Sequence, residues 1–299
     1  MMTDLPLDQV RTLLAAVDEG TFDAAARALH VTPSAVSQRI KALEQRTGRV
    51  LLLRTKPVEL TDSGEVVVRF ARQLARLERD AGAELGLTGT DRPTRLSIAV
   101  NADSLATWFL PALSAAAAEL PICFDLHRED QDHTTRLLRQ GLVMAAVTSS
   151  PDPVQGCTVR KLGQMRYHAM AAPGFVARHL SHGPLRQLLS DVPVVVFDRK
   201  DDLQDGFLRG LAPDRPAPTV RHYVPASEAY VQAVLAGLGW GMVPEAQAAA
   251  HRRSGALVDL AADRPVDVPL YWQQWKLDSP ALTALATAVA AAAAAAQVS

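Results

Sequence analysis

The sequence predicts an α/β chain with an all-α N-terminal head and a two-lobed C-terminal domain. Three observations carry that expectation. Residues 1–60 are patterned as short helices and become basic toward their end. Residues 62–87 contain no proline and repeat apolar side chains at steps of three and four, the period of one long helix. From Leu96 onward, short apolar strands alternate with helices, the pattern of a parallel sheet.

The totals set bounds. The chain has 299 residues, 48% of them hydrophobic, enough for packed cores. Its formal net charge of -1 points to no partner, but the charge is unevenly spread. Arg27, Arg39, Lys41, Arg46, Arg49, Arg54 and Lys56 face only Glu44 in their stretch, a local balance of +6. Such a patch suits a surface that meets phosphates, although a solvated face explains most charge runs. Cys123 and Cys157 make no disulfide framework and read as two small hydrophobes in a reducing compartment. The opening MMTDLPLDQVRTLL lacks the basic and apolar regions of a signal peptide, which predicts a cytoplasmic chain. No membrane-type apolar segment appears, and the Ala290–Ala296 run reads as a terminal helix.

In the head, the stretch from Thr21 to Glu44 reads as a helix-turn-helix. Ala24–Leu29 forms a short helix whose small side chains let a second helix cross closely. His30 and Val31 make the turn. Thr32 is a good N-cap, and Pro33 stands at the first helical position, where its missing N–H costs nothing. The second helix then buries Val36, Ile40 and Leu43. Its other face offers Ser34, Ser37, Gln38 and Lys41, with Arg39 beside them, as a recognition helix in a DNA major groove requires. The plain alternative is a helical hairpin of any enzyme; the +6 patch and Arg54-Thr55-Lys56 downstream favour DNA. In the long helix, Val67, Phe70, Leu74, Leu77 and Ala81 form a seam of coiled-coil type. Arg69, Arg72, Arg76, Glu78 and Arg79 lie opposite. Leu87–Pro93 breaks the helix as a hinge.

Beyond the hinge, strands at Leu96–Val100, Ile122–Leu126 and Val143–Thr148 alternate with helices near 104–118 and 133–140. A second set, Tyr167–Ala171, Val194–Phe197, Thr219–Tyr223 and Gly241–Val243, builds another lobe before Val268–Trp272 and a helix over 280–297 return to the first. Two crossings leave a cleft, and open α/β sheets bind ligands at the carboxyl ends of their strands.

Residues 7–66 resemble the winged helix-turn-helix of the LysR-type transcriptional regulators. The resemblance rests on Phe22, Ala25, Ala26, Leu29, Ser34-Ala35-Val36-Ser37, Ile40, Leu43-Glu44, Gly48, Leu51, Arg54, Leu60-Thr61 and Gly64. Pro33 departs from it, standing where a polar side chain is frequent, and Leu52 replaces a frequent phenylalanine. It extends through Val100–Leu113, Val195–Asp202, Ser227–Gln232 and Leu270–Trp272, which are similar to the arginine- and lysine-responsive branch. The resemblance implies a winged helix-turn-helix domain over 1–61, a linker and dimerisation helix over 62–91, and an effector domain over 92–299 of periplasmic-binding-protein-like form. Lobe I would take 92–163 and 267–299, and lobe II 164–266. The wing would fall at Arg54–Glu59, with Arg54 and Thr55 meeting the DNA backbone. The implied partners are double-stranded promoter DNA, a second copy or a tetramer, RNA polymerase, and a small effector, foremost a basic amino acid (lysine, arginine or histidine) whose exporter gene is activated.

The DNA-binding candidates are therefore Thr32, Ser34, Ser37, Gln38, Arg39, Lys41, Arg54 and Thr55. For the effector, Asn101, Asp103 and Ser104 open a helix after the first strand, where backbone N–H groups suit an α-carboxylate. Ser227 opens another helix, and Thr148 ends the third strand. A basic amino acid also needs carboxylates: Asp103, Asp130 and Asp198 are preferred over Glu129, Asp201 and Asp202. Each of these acids could equally be a solvated loop carboxylate. Trp108 and Trp240 read as core or cleft wall. No cofactor, metal or catalytic residue is expected, since G-x-S-x-G, P-loop and metal-ligand spacings are missing. Gly237-Leu-Gly-Trp-Gly241 ends a helix instead of opening one, unlike a dinucleotide loop. Two rivals stay open: a regulator of this family answering another metabolite, and a solute-binding protein without DNA binding.

Overall fold

The computed structural model describes residues 5–86, 93–128, 131–296 and 298, with 83, 84 and 131–133 described by backbone alone. The head contains α1 (Leu7–Asp18), α2 (Phe22–Ala28), α3 (Pro33–Thr47) and a two-stranded wing of β1 (Leu52–Leu53) and β2 (Glu59–Leu60). Thr21 caps α2 by accepting the Ala24 N–H at 3.2 Å, and Thr32 caps α3 in the same way through Ala35. Gly48 ends α3 in the left-handed region at φ 65°. Ala25 and Ala26 are buried where α2 crosses α3, so the small residues do permit a close crossing. Gly64 shows the same tightness at the wing: a Cβ there would lie 1.8 Å from the Leu51 carbonyl oxygen.

The linker helix α4 (Asp62–Glu84) has three faces instead of the expected two. Val67, Val68 and Ala71 complete the head core, so Val67 is no seam residue. Val66, Phe70 and Leu77 stay exposed at 46%, 38% and 45% and form an apolar stripe with Leu74 beside it. Arg69 and Arg76, expected to face solvent, are buried at 7% and 5% because the following domain packs on them.

That domain opens with β3 (Thr94–Val100), then a helix in three segments: α5 (Ala102–Ser104), a π-turn (Leu105–Phe109) and α6 (Leu110–Glu119). β4 (Ile122–Arg128), α7 (Gln131–Gln140) and β5 (Ala145–Thr148) follow, with β4 and β5 parallel to β3 on either side. β6 (Cys157–Ala171) is much longer than the expected Tyr167–Ala171 and leaves the lobe. Its far half carries the second lobe, formed by α8 (Pro173–His179), α9 (Leu185–Leu188), β7 (Val194–Val196), α10 (Leu203–Leu211), β8 (Arg221–Tyr223), α11 (Ser227–Leu235), β9 (Gly241–Pro244), α12 (Glu245–Arg253) and β10 (Val258–Asp259). β11 (Val266–Trp275) then runs back antiparallel to β6 along its whole length and pairs with β5 at Tyr271–Gln274. α13 (Pro280–Ala295) closes the first lobe against α6. β6 and β11 are thus the two connections between lobes, and both are irregular midway. Gly163 takes φ 138°, and the register shifts between Leu270 and Tyr271.

The glycine-rich segment after α11 is explained by packing. A Cβ on Gly239 would meet the Pro193 carbonyl at 2.7 Å, and one on Gly241 would meet the Tyr230 hydroxyl at 2.5 Å. Trp108 and Trp240 are core residues, 4% and 0% exposed. No helix among the described residues is long and apolar enough to cross a membrane.

Candidate functional sites

The first site is the outer face of α3. Burial of Val36, Ile40 and Leu43 on one side turns Ser34, Gln38 and Lys41 outward, with Ser37 half-buried beside them. Thr32 is exposed, but its hydroxyl is engaged as the cap and shares a 2.9 Å hydrogen bond with Ser34. Arg39 departs most from expectation. It leans back on α1, donating to the Thr12 hydroxyl at 3.5 Å with its Nε 3.9 Å from Asp8, because its position lies at the edge of the buried stripe. At the wing tip, Arg54 is exposed with its guanidinium 5.8 Å from the Phe22 ring centre. The Thr55 hydroxyl donates to the Pro57 carbonyl at 2.7 Å and so braces the wing. Glu44 accepts the Leu51 N–H at 2.9 Å, tying the end of α3 to the wing's first strand. Arg46 and Arg49, members of the basic patch read in the sequence, add exposed cations to this surface. One polar, cationic surface therefore joins α3 and the wing.

The second site is a cavity of about 290 Å³ between the lobes, near the lower end of the usual range for small-molecule sites. β3 delivers Asn101 and Asp103 from lobe I, and the loop after β7 delivers Asp198, Asp201 and Asp202 from lobe II, with Lys200 among them. Tyr167 and Gln204 complete the polar wall. Asp103 stands at the centre. Its carboxylate accepts the Tyr167 hydroxyl at 2.7 Å and the Ser227 hydroxyl at 2.6 Å, joining the two lobes. Burial lifts its pKa above the usual carboxylate range; the two hydroxyl bonds oppose that rise, while Asp201 and Glu228 add to it. Asp201 is raised too, chiefly by burial, although it accepts the Phe197 and Leu203 N–H groups at 3.1 and 3.0 Å. Burial likewise pushes the Tyr167 hydroxyl well above its ordinary value. Asp198 is half-buried and accepts the Lys200 and Asp201 N–H groups at 2.7 and 3.1 Å, an Asx turn that shapes the loop.

The expected effector residues divide. Asn101, Asp103 and Asp198 line the cavity. Ser227 is just behind it, reaching it through Asp103. Ser104 is fully buried, and its hydroxyl, like the Asn101 side-chain oxygen, has no hydrogen-bond partner among the described residues. Thr148 does not line the cavity: it is buried at the end of β5, opposite Tyr271, and accepts the Ser150 N–H at 3.2 Å. Asp130 and Glu129 lie outside the described residues. Tyr167, Gln204 and Tyr230 went unselected. The Tyr230 hydroxyl donates to the Val195 carbonyl at 3.1 Å and accepts from Gln204 and from the Met242 N–H, so these residues form a fixed wall. Only the convergence of β6, α10 and α11 in space marks them. Among the described residues, no group of three or more His, Cys, Asp or Glu could hold a metal ion.

Comparison with known proteins places both sites in one family. Residues 7–65 match the bacterial regulatory helix-turn-helix protein, lysR family, and residues 90–294 match the LysR substrate binding domain. The chain is 47% identical over 294 residues to the HTH-type transcriptional regulator LysG of Mycobacterium tuberculosis, covering 98% of this chain and 95% of the relative. It is 43% identical over 286 residues to the lysine export transcriptional regulatory protein LysG of Corynebacterium glutamicum, covering 95% and 97%. A full-length structure of the corynebacterial LysG with bound effector Arg superposes with a TM-score of 0.84 at 41% identity, over 97% of this chain and 98% of that one. A second full-length structure of that protein gives 0.63, over 98% and 99%. An exposed recognition helix with its wing, a two-lobed domain with a cavity at its strand ends, and both family matches agree: this chain belongs to the LysR family, whose members bind DNA and regulate transcription in response to a ligand.

Proposed function

We propose that this regulator senses a basic amino acid, arginine or lysine, in the cavity between its lobes and activates a gene for exporting it. One observation carries the reading: four aspartates and one lysine line a cavity sized for a single amino acid, and burial disfavours the charge of Asp103 and Asp201. A guanidinium or ammonium group inserted between them supplies the missing counter-charge. The unpartnered Asn101 oxygen and the N–H groups opening the helix at Ala102 provide the polar end for the amino acid's backbone groups. The relatives named for lysine export and the arginine-bound structure support the same ligand class.

On the DNA side, Ser34, Ser37 and Gln38 read bases, while Lys41, Arg54 and the Arg39 edge meet phosphates. Thr32 and Thr55 hold the helix start and the wing. Two copies join along the Val66, Phe70 and Leu77 stripe, alone or as a tetramer, and present two recognition helices to promoter DNA. The protein acts in the cytoplasm, contacts RNA polymerase and catalyses no reaction. A thermal-shift panel of the twenty amino acids on the intact chain tests the reading. Arginine or lysine raises the melting temperature with concentration, and neutral amino acids do not. Stabilisation by a neutral or acidic amino acid alone refutes it.

A further inference from the structure

We propose that Arg72 is the positioning residue through which the effector domain sets the placement of the DNA-binding head. Its side chain is 16% exposed, and its guanidinium bridges two helix ends. One Nη donates to the Gln140 carbonyl, at the end of α7, at 2.5 Å. The other donates to Asp18, the last residue of α1, also at 2.5 Å. Head, linker and lobe I thus meet on one side chain.

The surroundings make this joint stiff. Arg69 donates to the Arg139 carbonyl at 3.2 Å, Arg76 to the Arg95 carbonyl at 3.3 Å, and the Gln140 amide to Glu65 at 3.0 Å. The last carbonyls of a helix have no partner within it and carry partial negative charge, so arginines from α4 serve as the cap of α7. Gly141 permits the approach: it takes φ 70°, and a Cβ there would lie 3.0 Å from the Arg69 Cα.

At its other end, α7 follows β4, whose final residue Arg128 is in register with Val100 at the end of β3. The same edge of the sheet delivers Asn101 and Asp103 to the cavity. α7 is therefore a rod of about 15 Å from the strand-end edge of the sheet to Arg72. A shift of the cavity wall moves the Gln140 carbonyl, and the planar fork of Arg72 passes it to Asp18. Lysine, a single-point donor on a flexible stem, does not hold both acceptors at fixed angle. The contact between Arg11 and Glu78, by contrast, joins only head and linker. The two structures of the corynebacterial relative also differ in how well they superpose on this chain, with TM-scores of 0.84 and 0.63.

The test uses the full-length chain and the variants Arg72→Ala, Arg72→Lys and Asp18→Ala; its effector arm rests on the arginine-sensing reading. Promoter affinity is measured with and without saturating arginine, and arginine affinity by calorimetry. The wild-type ratio of promoter affinities falls within the usual allosteric range of about 5- to 150-fold. All three variants bind arginine and unliganded promoter like the wild type, but their ratio drops to about 1. Asp18→Ala leaves the cap of α7 intact, so its loss of coupling marks positioning and not helix stability. A ratio kept at the wild-type value in Arg72→Ala or Asp18→Ala overturns the proposal. A second measurement needs no effector: the label-to-label distance between exposed Cys123 and Gln45→Cys in spin-diluted full-length protein. Its distribution is narrow with Arg72 and broad with Arg72→Ala. If it stays equally narrow, the joint is not held by Arg72; if it broadens while arginine binds nowhere, only the effector reading fails.

Discussion

Replacing Asp103 with asparagine removes its charge and keeps its shape. The asparagine carbonyl oxygen still accepts the Tyr167 hydroxyl, now 2.7 Å from one carboxylate oxygen. Its amide takes the place of the other oxygen and donates to the Ser227 hydroxyl, whose own proton turns to Gln247 Oε1 at 3.2 Å. The wall between the lobes stays in place. What disappears is the charge-assisted bond to a cationic ligand, which is worth about 1.5–3 kcal/mol in a buried setting. At about 1.4 kcal/mol per factor of ten, arginine affinity falls roughly 10- to 150-fold. Isothermal titration of both proteins with L-arginine reads the change, and L-citrulline, which lacks the side-chain charge, is the control whose weak binding does not fall further. The unliganded variant is at least as heat-stable as the wild type, because Asp103 is buried with no counter-cation among the causes of its shift. Arginine bound by Asp103→Asn within twofold of wild type would refute the assignment of the cation to this carboxylate.

Acidification separates ligand affinity from stability. Asp103 and Asp201 both ionise above the ordinary carboxylate range, and a cationic effector pairs with their ionised forms. Arginine affinity is therefore full above the raised pKa and weakens as pH falls through it, by up to about tenfold per pH unit per proton. The empty protein behaves in the opposite sense. A carboxyl with a raised folded-state pKa adds stability at low pH and loses it as pH rises from the unfolded toward the folded value, so thermal melts without ligand and titrations with ligand move oppositely. At the recognition helix, Lys41→Ala lowers promoter affinity for all sequences and reduces the slope of log affinity against log salt by about 1. Gln38→Ala leaves that slope unchanged and loses about 1–3 kcal/mol of discrimination between the promoter and a base-substituted copy, read by gel shift. Phe70→Asp with Leu77→Asp charges the exposed stripe of α4, and analytical ultracentrifugation then finds monomers; unaltered dimers would place the interface elsewhere.

The head was legible in the sequence because its signals are local. Thr32 and Pro33 fix where α3 begins, and the spacing of Val36, Ile40 and Leu43 decides which side faces out. The same logic misjudged α4. A step of three or four cannot tell a helix with one buried face from one with two, and here the effector domain claims Arg69 and Arg76 while the head claims Val67. β6 was read too short because Thr158–Lys161 is exposed and mostly polar, yet the strand continues through it as the connection between lobes. In the cavity, the strand-end rule found Asn101, Asp103 and Asp198, each close in sequence to an apolar strand. Thr148 also ends a strand, but it is buried beside Tyr271 of β11 and does not line the cavity. Tyr167, Gln204 and Tyr230 come from three separate elements, and no spacing along the chain announces their meeting.

A nuclease footprint of the promoter by the intact chain, taken across an arginine titration, joins the cavity to the head in one experiment. The protected region changes its boundaries or cleavage pattern with a midpoint that tracks the calorimetric arginine affinity, and Asp103→Asn moves both to higher concentration together. A footprint that is identical at every arginine and lysine concentration, or one that responds equally to citrulline, contradicts a cation-sensing cavity that governs DNA binding.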